Sequence, residues 1–195
     1  MNLDGLDLSS EELELLETLR SLKSKLDERT LDRYKRINPF QENLIDWHEK
    51  GERYAGAGSV IYESATLMGD VQIGNHAWIG EGCLVDGSGG LTMGDHVVLA
   101  CGVHIYTHDT VKWALSGGLA EYKHAPVSIG SNVFVGAQSV ITCGVNIGDH
   151  VLVCANATVT EDVPSYSIVA GTPARVIGTV EVDGADVRLN YGEAR

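Results

Sequence analysis

The 195-residue sequence predicts an all-β coil of short parallel strands preceded by an α-helical extension. Three observations carry that reading. An aliphatic residue opens a six-residue unit fourteen times: Ile61, Leu67, Ile73, Ile79, Val85, Met93, Leu99 and Ile105, then Ile129, Val135, Ile141, Ile147, Val153 and Val159. The position four residues on is small or aliphatic nearly throughout, as in Ala65, Val71, Ala77, Cys83, Val97, Val103, Val133, Ser139, Val145, Val151, Ala157 and Val163. The most regular copies also share one punctuation: Ile73-Gly74-Asn75-His76, Met93-Gly94-Asp95-His96, Ile129-Gly130-Ser131-Asn132 and Ile147-Gly148-Asp149-His150.

A period of six is too short for a helical or leucine-rich repeat and fits a β-helix of hexapeptides. A short strand points one aliphatic side chain inward, Gly with Asp or Asn supplies a tight corner, and the smaller residue fills the next inward position. No unit buries a core alone; stacked coils do. A β-sandwich, the alternative, would place its turns at irregular intervals of about 8–12 residues, which this regular spacing opposes.

Residues 1–58 differ in kind. Ser9 followed by Glu12 is a capping box, and Leu13, Leu16, Leu19, Leu22 and Leu26 recur at helical spacing, predicting a helix from about 10 to 28. A second stretch, Leu31 to Asn38, breaks at Pro39, and Phe40 to Lys50 reads as helix until Gly51. The leucine stripe is expected to pack on its own helix pair or on a neighbouring subunit.

The net charge of -13 argues against nucleic acid or an anionic membrane as partner, and requires a local cationic site for any anionic cofactor. No apolar run approaches about 18 residues and no charged-then-apolar leader precedes the coil, so a membrane span is not expected and a cytoplasmic location is. Cys83, Cys101, Cys143 and Cys154 lack CxxC spacing and read as free thiols within the repeats.

The repeats, with the closing string Val163-Pro164 and Ile168-Val169-Ala170-Gly171-Thr172-Pro173-Ala174-Arg175-Val176-Ile177, resemble the left-handed parallel β-helix acyltransferases of the hexapeptide-repeat family. The resemblance covers about residues 60–178. It implies an all-β left-handed parallel β-helix with an N-terminal α-helical extension: extension 1–58, acyltransferase coil 59–178 with an extruded loop 111–126, and tail 179–195. It also implies a homotrimer and acetyl-CoA as cosubstrate.

The hexads fail between Ile105 and Ile129, and such a failure of local consistency is where function is expected. Tyr106-Thr107-His108-Asp109 stands just ahead of the loop, which rejoins the coil at Pro126-Val127-Ser128-Ile129-Gly130. In the sugar O-acetyltransferases of the family the catalytic histidine stands in that place, so the resemblance makes His108 the base. A sugar hydroxyl is a poor nucleophile, and imidazole, with an ordinary pKa of about 6.5, suits removal of its proton as it attacks a thioester. His76, His96 and His150 share one repeat position and read as exposed turn residues. His104, four residues before His108, either orients it or covers the coil; His48 and His124 have no assigned role.

The cofactor positions follow from the resemblance. Phe134 matches an aromatic lining the pantetheine, Ala137 and Ala155 match backbone contacts to acetyl-CoA, and Thr160 with Glu161 matches a Thr-Lys pair near the adenine and phosphates. Glu161 departs from the lysine. Arg175 fits a phosphate contact. Glu81 and Asp86 lie where relatives hold sugar hydroxyls, although Asp86-Gly87 also reads as a turn. Seven residues between Val85 and Met93 break the hexad a second time.

The expected activity is acetyl transfer from acetyl-CoA to a hydroxyl of a sugar or glycan precursor. N-acetylation of a nucleotide-linked amino sugar is the close variant. Serine acetyltransferases share the coil, but their longer helical domain and histidine motif are missing. A zinc hydratase like the γ-class carbonic anhydrases is the rival class, since His104 and His108 are potential ligands. Their spacing of four, where that family has five, and the closing string oppose it, so no metal is expected. A non-catalytic trimeric scaffold is the third reading.

Overall fold

The computed structural model describes residues 8–192, in two compact units that meet in sequence between Ile45 and Asp46. In the first, α1 (Ser10–Tyr34) opens with the expected capping box: Ser9 N–H donates to Glu12 Oε2 at 2.8 Å and Glu12 N–H to Ser9 Oγ at 3.3 Å. The helix runs past its expected end near 28 and stops where Lys35 turns left-handed at φ 56°. Thr30 Oγ1 donates to Asn43 Oδ1 at 3.1 Å, and Asn43 Nδ2 donates to Asp27 Oδ1 at 3.2 Å, which ties the end of α1 to the turn after Pro39. Leu13, Leu19 and Leu22 remain exposed on α1, so the leucine stripe is not buried on a helix of its own unit.

Instead of one helix from Phe40 to Lys50, a 3₁₀ turn (Phe40–Asn43) is followed by α2 (Trp47–Tyr54), capped by Asp46. The helix passes through Gly51, the residue expected to end it. A Cβ there would lie 2.0 Å from the Ser59 carbonyl oxygen, so this glycine marks the contact of α2 with the first coil. Lys50 Nζ donates to the Tyr62 and Glu63 carbonyls at 3.1 and 2.9 Å, satisfying acceptors that have no coil above them.

The coil has three faces. Face one stacks β1 (Val60–Ile61), β3 (Trp78–Ile79), β5 (Val98–Leu99), β10 (Phe134–Val135), β13 (Leu152–Val153) and β15 (Ser167–Gly171). On face two the first halves of β2 (Thr66–Ile73) and β4 (Leu84–Met93) pair with β6 (His104–Ile105), β11 (Val140–Ile141) and β14 (Thr158–Val159). On face three their second halves continue into β9 (Val127–Ile129) and β12 (Asn146–Ile147). All these pairs are parallel, giving the left-handed parallel β-helix with its N-terminal helix. Twelve of the fourteen openers are buried, and Leu67 and Ile73, in the first coil, are partly buried.

The corners follow the punctuation. His76, His96, Asn132 and His150 all take left-handed φ between 56° and 61°, as corner residues must. Their rings stack along the axis, His76 on His96 at 4.7 Å and His150 on Tyr166 at 4.8 Å. Beside them runs a polar ladder in which each side chain accepts from a backbone N–H of the preceding coil. Asn75 N–H donates to Asp95 Oδ1 at 2.7 Å, Asp95 N–H to Ser131 Oγ at 3.1 Å, Ser131 N–H to Asp149 Oδ1 at 2.7 Å and Asp149 N–H to Ser165 Oγ at 2.9 Å.

Loop 111–126 is ordered by its own bonds. It holds α3 (Val111–Leu115) and is closed by the antiparallel pair β7 (His108–Asp109) and β8 (Lys123–His124). Ser116 Oγ accepts from Leu119 and Ala120 N–H at 3.1 and 2.8 Å, and Trp113 meets Tyr122 edge-on at 5.5 Å. After the last coil the chain reverses into β16 (Ala174–Asp183) and β17 (Asp186–Tyr191), an antiparallel hairpin that extends the face-one sheet.

Candidate active site

The two irregularities of the repeat meet at one place. Successive face-one strands are 18 residues apart from Ile61 to Ile79 but 20 from Ile79 to Leu99 and 36 from Leu99 to Val135. The first excess is the bulge after Val85; the second is the extruded loop. Because β4 and β6 are adjacent on face two, Asp86 at the end of one half-strand comes under His108, just past the other.

His108 Nδ1–H donates to Asp86 Oδ2 at 2.6 Å, and Ser88 Oγ lies 3.1 Å from the same nitrogen. Asp86 is fully buried and also accepts from Ser88 N–H at 2.8 Å, Thr107 N–H at 3.0 Å and Thr107 Oγ1 at 3.4 Å. Burial alone would raise its pKa. The bonds from Ser88, Thr107 and His108 outweigh burial and hold the carboxyl well below the usual range. An ionised carboxylate only accepts, so Nδ1 carries a proton and, in the neutral ring, Nε2 presents its lone pair. The imidazole is about one-third exposed, so its outer edge is open to solvent.

Asp86 therefore stands behind the imidazole, not in front of it as an acceptor contact, because its oxygens are turned inward to those donors. Ser88 and Thr107 were missed as members of the site; the broken hexad after Val85 was the signal for Ser88, and the break after Ile105 the signal for Thr107. His104 does not reach His108: its Nδ1 is 3.2 Å from Tyr106 Oη, on the exterior of face two. His124 pairs with His108 across β7 and β8, ring centres 6.1 Å apart. Among the described residues no cluster of three or more His, Cys, Asp or Glu side chains is placed to hold a metal. All four cysteines are free, and burial pushes the Cys83 thiol up to about 11.

The remaining sequence-derived residues divide between two corners. Glu81, Ala137 and Ala155 occupy equivalent positions at the corner between faces one and two, with Phe134 just before it, 45% exposed on the outside of face one. Thr160 and Glu161 follow β14 at the corner between faces two and three, the same corner as His108 and Asp86. Arg175 joins that group, its Nη2 lying 3.5 Å from Glu161 Oε1. Face two thus separates the two sets within one chain.

A hexapeptide-repeat model, described as the hexapeptide repeat of succinyl-transferase, matches residues 126–161. The chain is 30% identical to a maltose O-acetyltransferase from Clostridium difficile 630, whose structure it matches over 87% of its own length and 90% of that chain with a TM-score of 0.54. AntD, an N-acyltransferase from Bacillus cereus solved as a mutant with dTDP and coenzyme A, is 28% identical over 64% of this chain and 72% of that one, TM-score 0.59. Galactoside O-acetyltransferase of Escherichia coli K12 is 39% identical over 88 residues, 45% of this chain and 43% of that enzyme. Several curated relatives are matched over 26–66% of their length. The fold, the repeat and these relatives define the class: the chain belongs to the hexapeptide-repeat acyltransferase family. Within it, the match to the maltose O-acetyltransferase is long enough to reach beyond the coil.

Proposed function

We propose that this chain transfers acetyl from acetyl-CoA to a hydroxyl of a sugar or glycan precursor, with His108 as general base. The observation that carries the reading is the Asp86–His108 pair at the foot of the extruded loop. In the reaction the acceptor oxygen attacks the thioester carbonyl carbon while Nε2 takes its proton. The tetrahedral intermediate then expels coenzyme A as thiolate. Asp86 fixes the ring and stabilises the imidazolium that forms. General-base catalysis of this kind is worth about 10²–10⁴ in rate.

Acetyl-CoA is assigned to Phe134, Ala137, Ala155, Thr160, Glu161 and Arg175, and Glu81 to the acceptor. Because face two separates these residues, we assign the complete site to a homotrimer in which one corner meets the other corner of a neighbour. The exterior of face one suits such a contact: Trp78, Val98, Phe134 and Leu152 form an apolar stripe, whereas face three carries Gln72, Thr92, Ser128 and Asn146. No described helix is long and apolar enough to cross a membrane. The likeness to AntD supports the second reading, an amine acceptor on a nucleotide-linked sugar.

Thiol release from acetyl-CoA against sugars, nucleotide-linked amino sugars and amino acids tests both. Turnover with one acceptor, lost in His108→Ala without loss of fold, is the expected result. Full turnover in His108→Ala would refute the base, and turnover confined to amino sugars would select the second reading.

A further inference from the structure

The two ends of the coil are finished differently. At the start, α2 lies over the first coil and Lys50 donates to the Tyr62 and Glu63 carbonyls. At the other end the face-one sheet runs on through the hairpin and finishes at β17, with no described strand on its outer side. Edge strands in soluble proteins are normally blunted by short length, lysine, proline or a bulge. β17 is six residues long, Asp186-Val187-Arg188-Leu189-Asn190-Tyr191, with no lysine, proline or register shift. Its two charges engage each other, Arg188 Nη2 donating to Asp186 Oδ2 at 3.0 Å.

The register fixes which backbone groups are free. Gly192 N–H donates to the Ile177 carbonyl at 2.8 Å, and Val180 N–H points the other way, to the Tyr166 carbonyl at 2.8 Å. Antiparallel pairing alternates bonded and non-bonded partners, so Asp186, Arg188 and Asn190 bond inward to β16. Val187, Leu189 and Tyr191 point their N–H and C=O outward. Their side chains share one face of the hairpin and are 45–57% exposed.

We propose that β17 is an interface at which a second copy of this chain pairs antiparallel, edge to edge, with Leu189 on the two-fold axis. Among the described residues that register alone pairs all three outward residues with one another. Leu189 meets its counterpart, Val187 meets Tyr191 of the other copy at both ends, and about six backbone hydrogen bonds form. Arg188 then faces a neutral Asn190. Sliding by one step, to pair Val187 with Leu189, sets Arg188 opposite Arg188, and like charges directly opposed destabilise a sheet. Sliding further runs the strand over the turn at Gly184-Ala185. A second copy fits better than a foreign strand because the edge is self-complementary at every position.

Two variants and an exchange experiment test this. Leu189→Pro removes the central outward N–H, which the hairpin does not use. Asn190→Lys sets a cation opposite Arg188 twice, and Asn190→Asp replaces it with an attractive pair. Light-scattering mass on the full chain is expected to fall at least twofold in Leu189→Pro and Asn190→Lys, with unchanged melting. In Asn190→Asp dissociation is expected to move to lower concentration. Amide exchange reads the same contact: Val187 and Tyr191 are expected to be protected in the wild type and to exchange freely in Leu189→Pro, while Arg188 stays protected in both. Equal masses for all variants, or fast exchange at Val187 and Tyr191 in the wild type, would overturn the proposal. Protection at equal mass would likewise overturn it, pointing to a foreign strand. None of these readouts depends on acetyl transfer.

Discussion

Asp86 has lost its water, and burial by itself would drive it to the neutral acid; four donors from Ser88, Thr107 and His108 supply what water no longer does. Asp86→Asn keeps the volume and removes the charge that holds the proton on Nδ1. Its kcat/KM is expected to fall about 10²–10⁴-fold, the range of the base itself. The same substitution has a stability signature. Asp86 has a depressed folded pKa, so its contribution is present above the ordinary carboxylate value of about 3.9 and is lost as pH falls through that value toward the folded one. Urea unfolding should therefore show wild type above Asp86→Asn at pH 7 and the gap closing in acid. A gap that widened in acid would mean that Asp86 is protonated in the native state. His108 was legible in the sequence because it abuts the broken repeat. Asp86 was legible as a site residue but not as the partner of His108, since the two stand 22 positions apart and meet only because their half-strands are adjacent.

At the scale of the elements, the glycines of the punctuation do more than turn. A Cβ on Gly130 would lie 2.4 Å from Asp149 Oδ1 and 2.9 Å from the Asp149 backbone nitrogen, so glycine here makes room for the next rung of the polar ladder. Gly130 does not have positive φ, so the cost of a methyl group is steric and not conformational. Gly130→Ala is expected to lose about 1–3 kcal/mol, the usual cost of overpacking, in denaturant unfolding. Gly82 is the control: nothing lies within 4 Å of its Cβ position, and its φ of 66° is the sole penalty. Hexads are readable because each carries its own inward residues and corner. The helices were less so. Gly51 reads locally as a helix end, whereas its contact with Ser59 makes it part of α2. The loop from 111 to 126 shows no period, yet Ser116 and the Trp113–Tyr122 contact give it a fixed form through side chains whose roles no repeat encodes.

Over the whole molecule, charge is distributed unevenly. Nine of the fourteen Lys and Arg residues precede residue 54, and from there to residue 174 the cations are Lys112 and Lys123, both in the loop. The coil is therefore an acidic surface, which the proposed function asks to receive a polyanionic cosubstrate, and Arg175, near the Thr160 corner, lies 3.5 Å from Glu161. With acetyl-CoA placed as proposed, two fields would act on it: repulsion from the distributed charge of -13 and attraction to Arg175 at contact. Salt separates them. The Debye length shrinks from about 30 Å at 0.01 M to about 8 Å at 0.15 M, which removes repulsion from distant carboxylates before it removes a contact within a few ångströms. The KM for acetyl-CoA should therefore fall as salt is raised over that range. Arg175→Ala should raise it at every salt concentration and leave the acceptor KM unchanged, and Glu161→Gln should lower it by releasing Arg175. A wild-type KM that rose with salt would show that attraction, not repulsion, governs the approach, and an effect of Arg175→Ala on the acceptor alone would place the cofactor elsewhere.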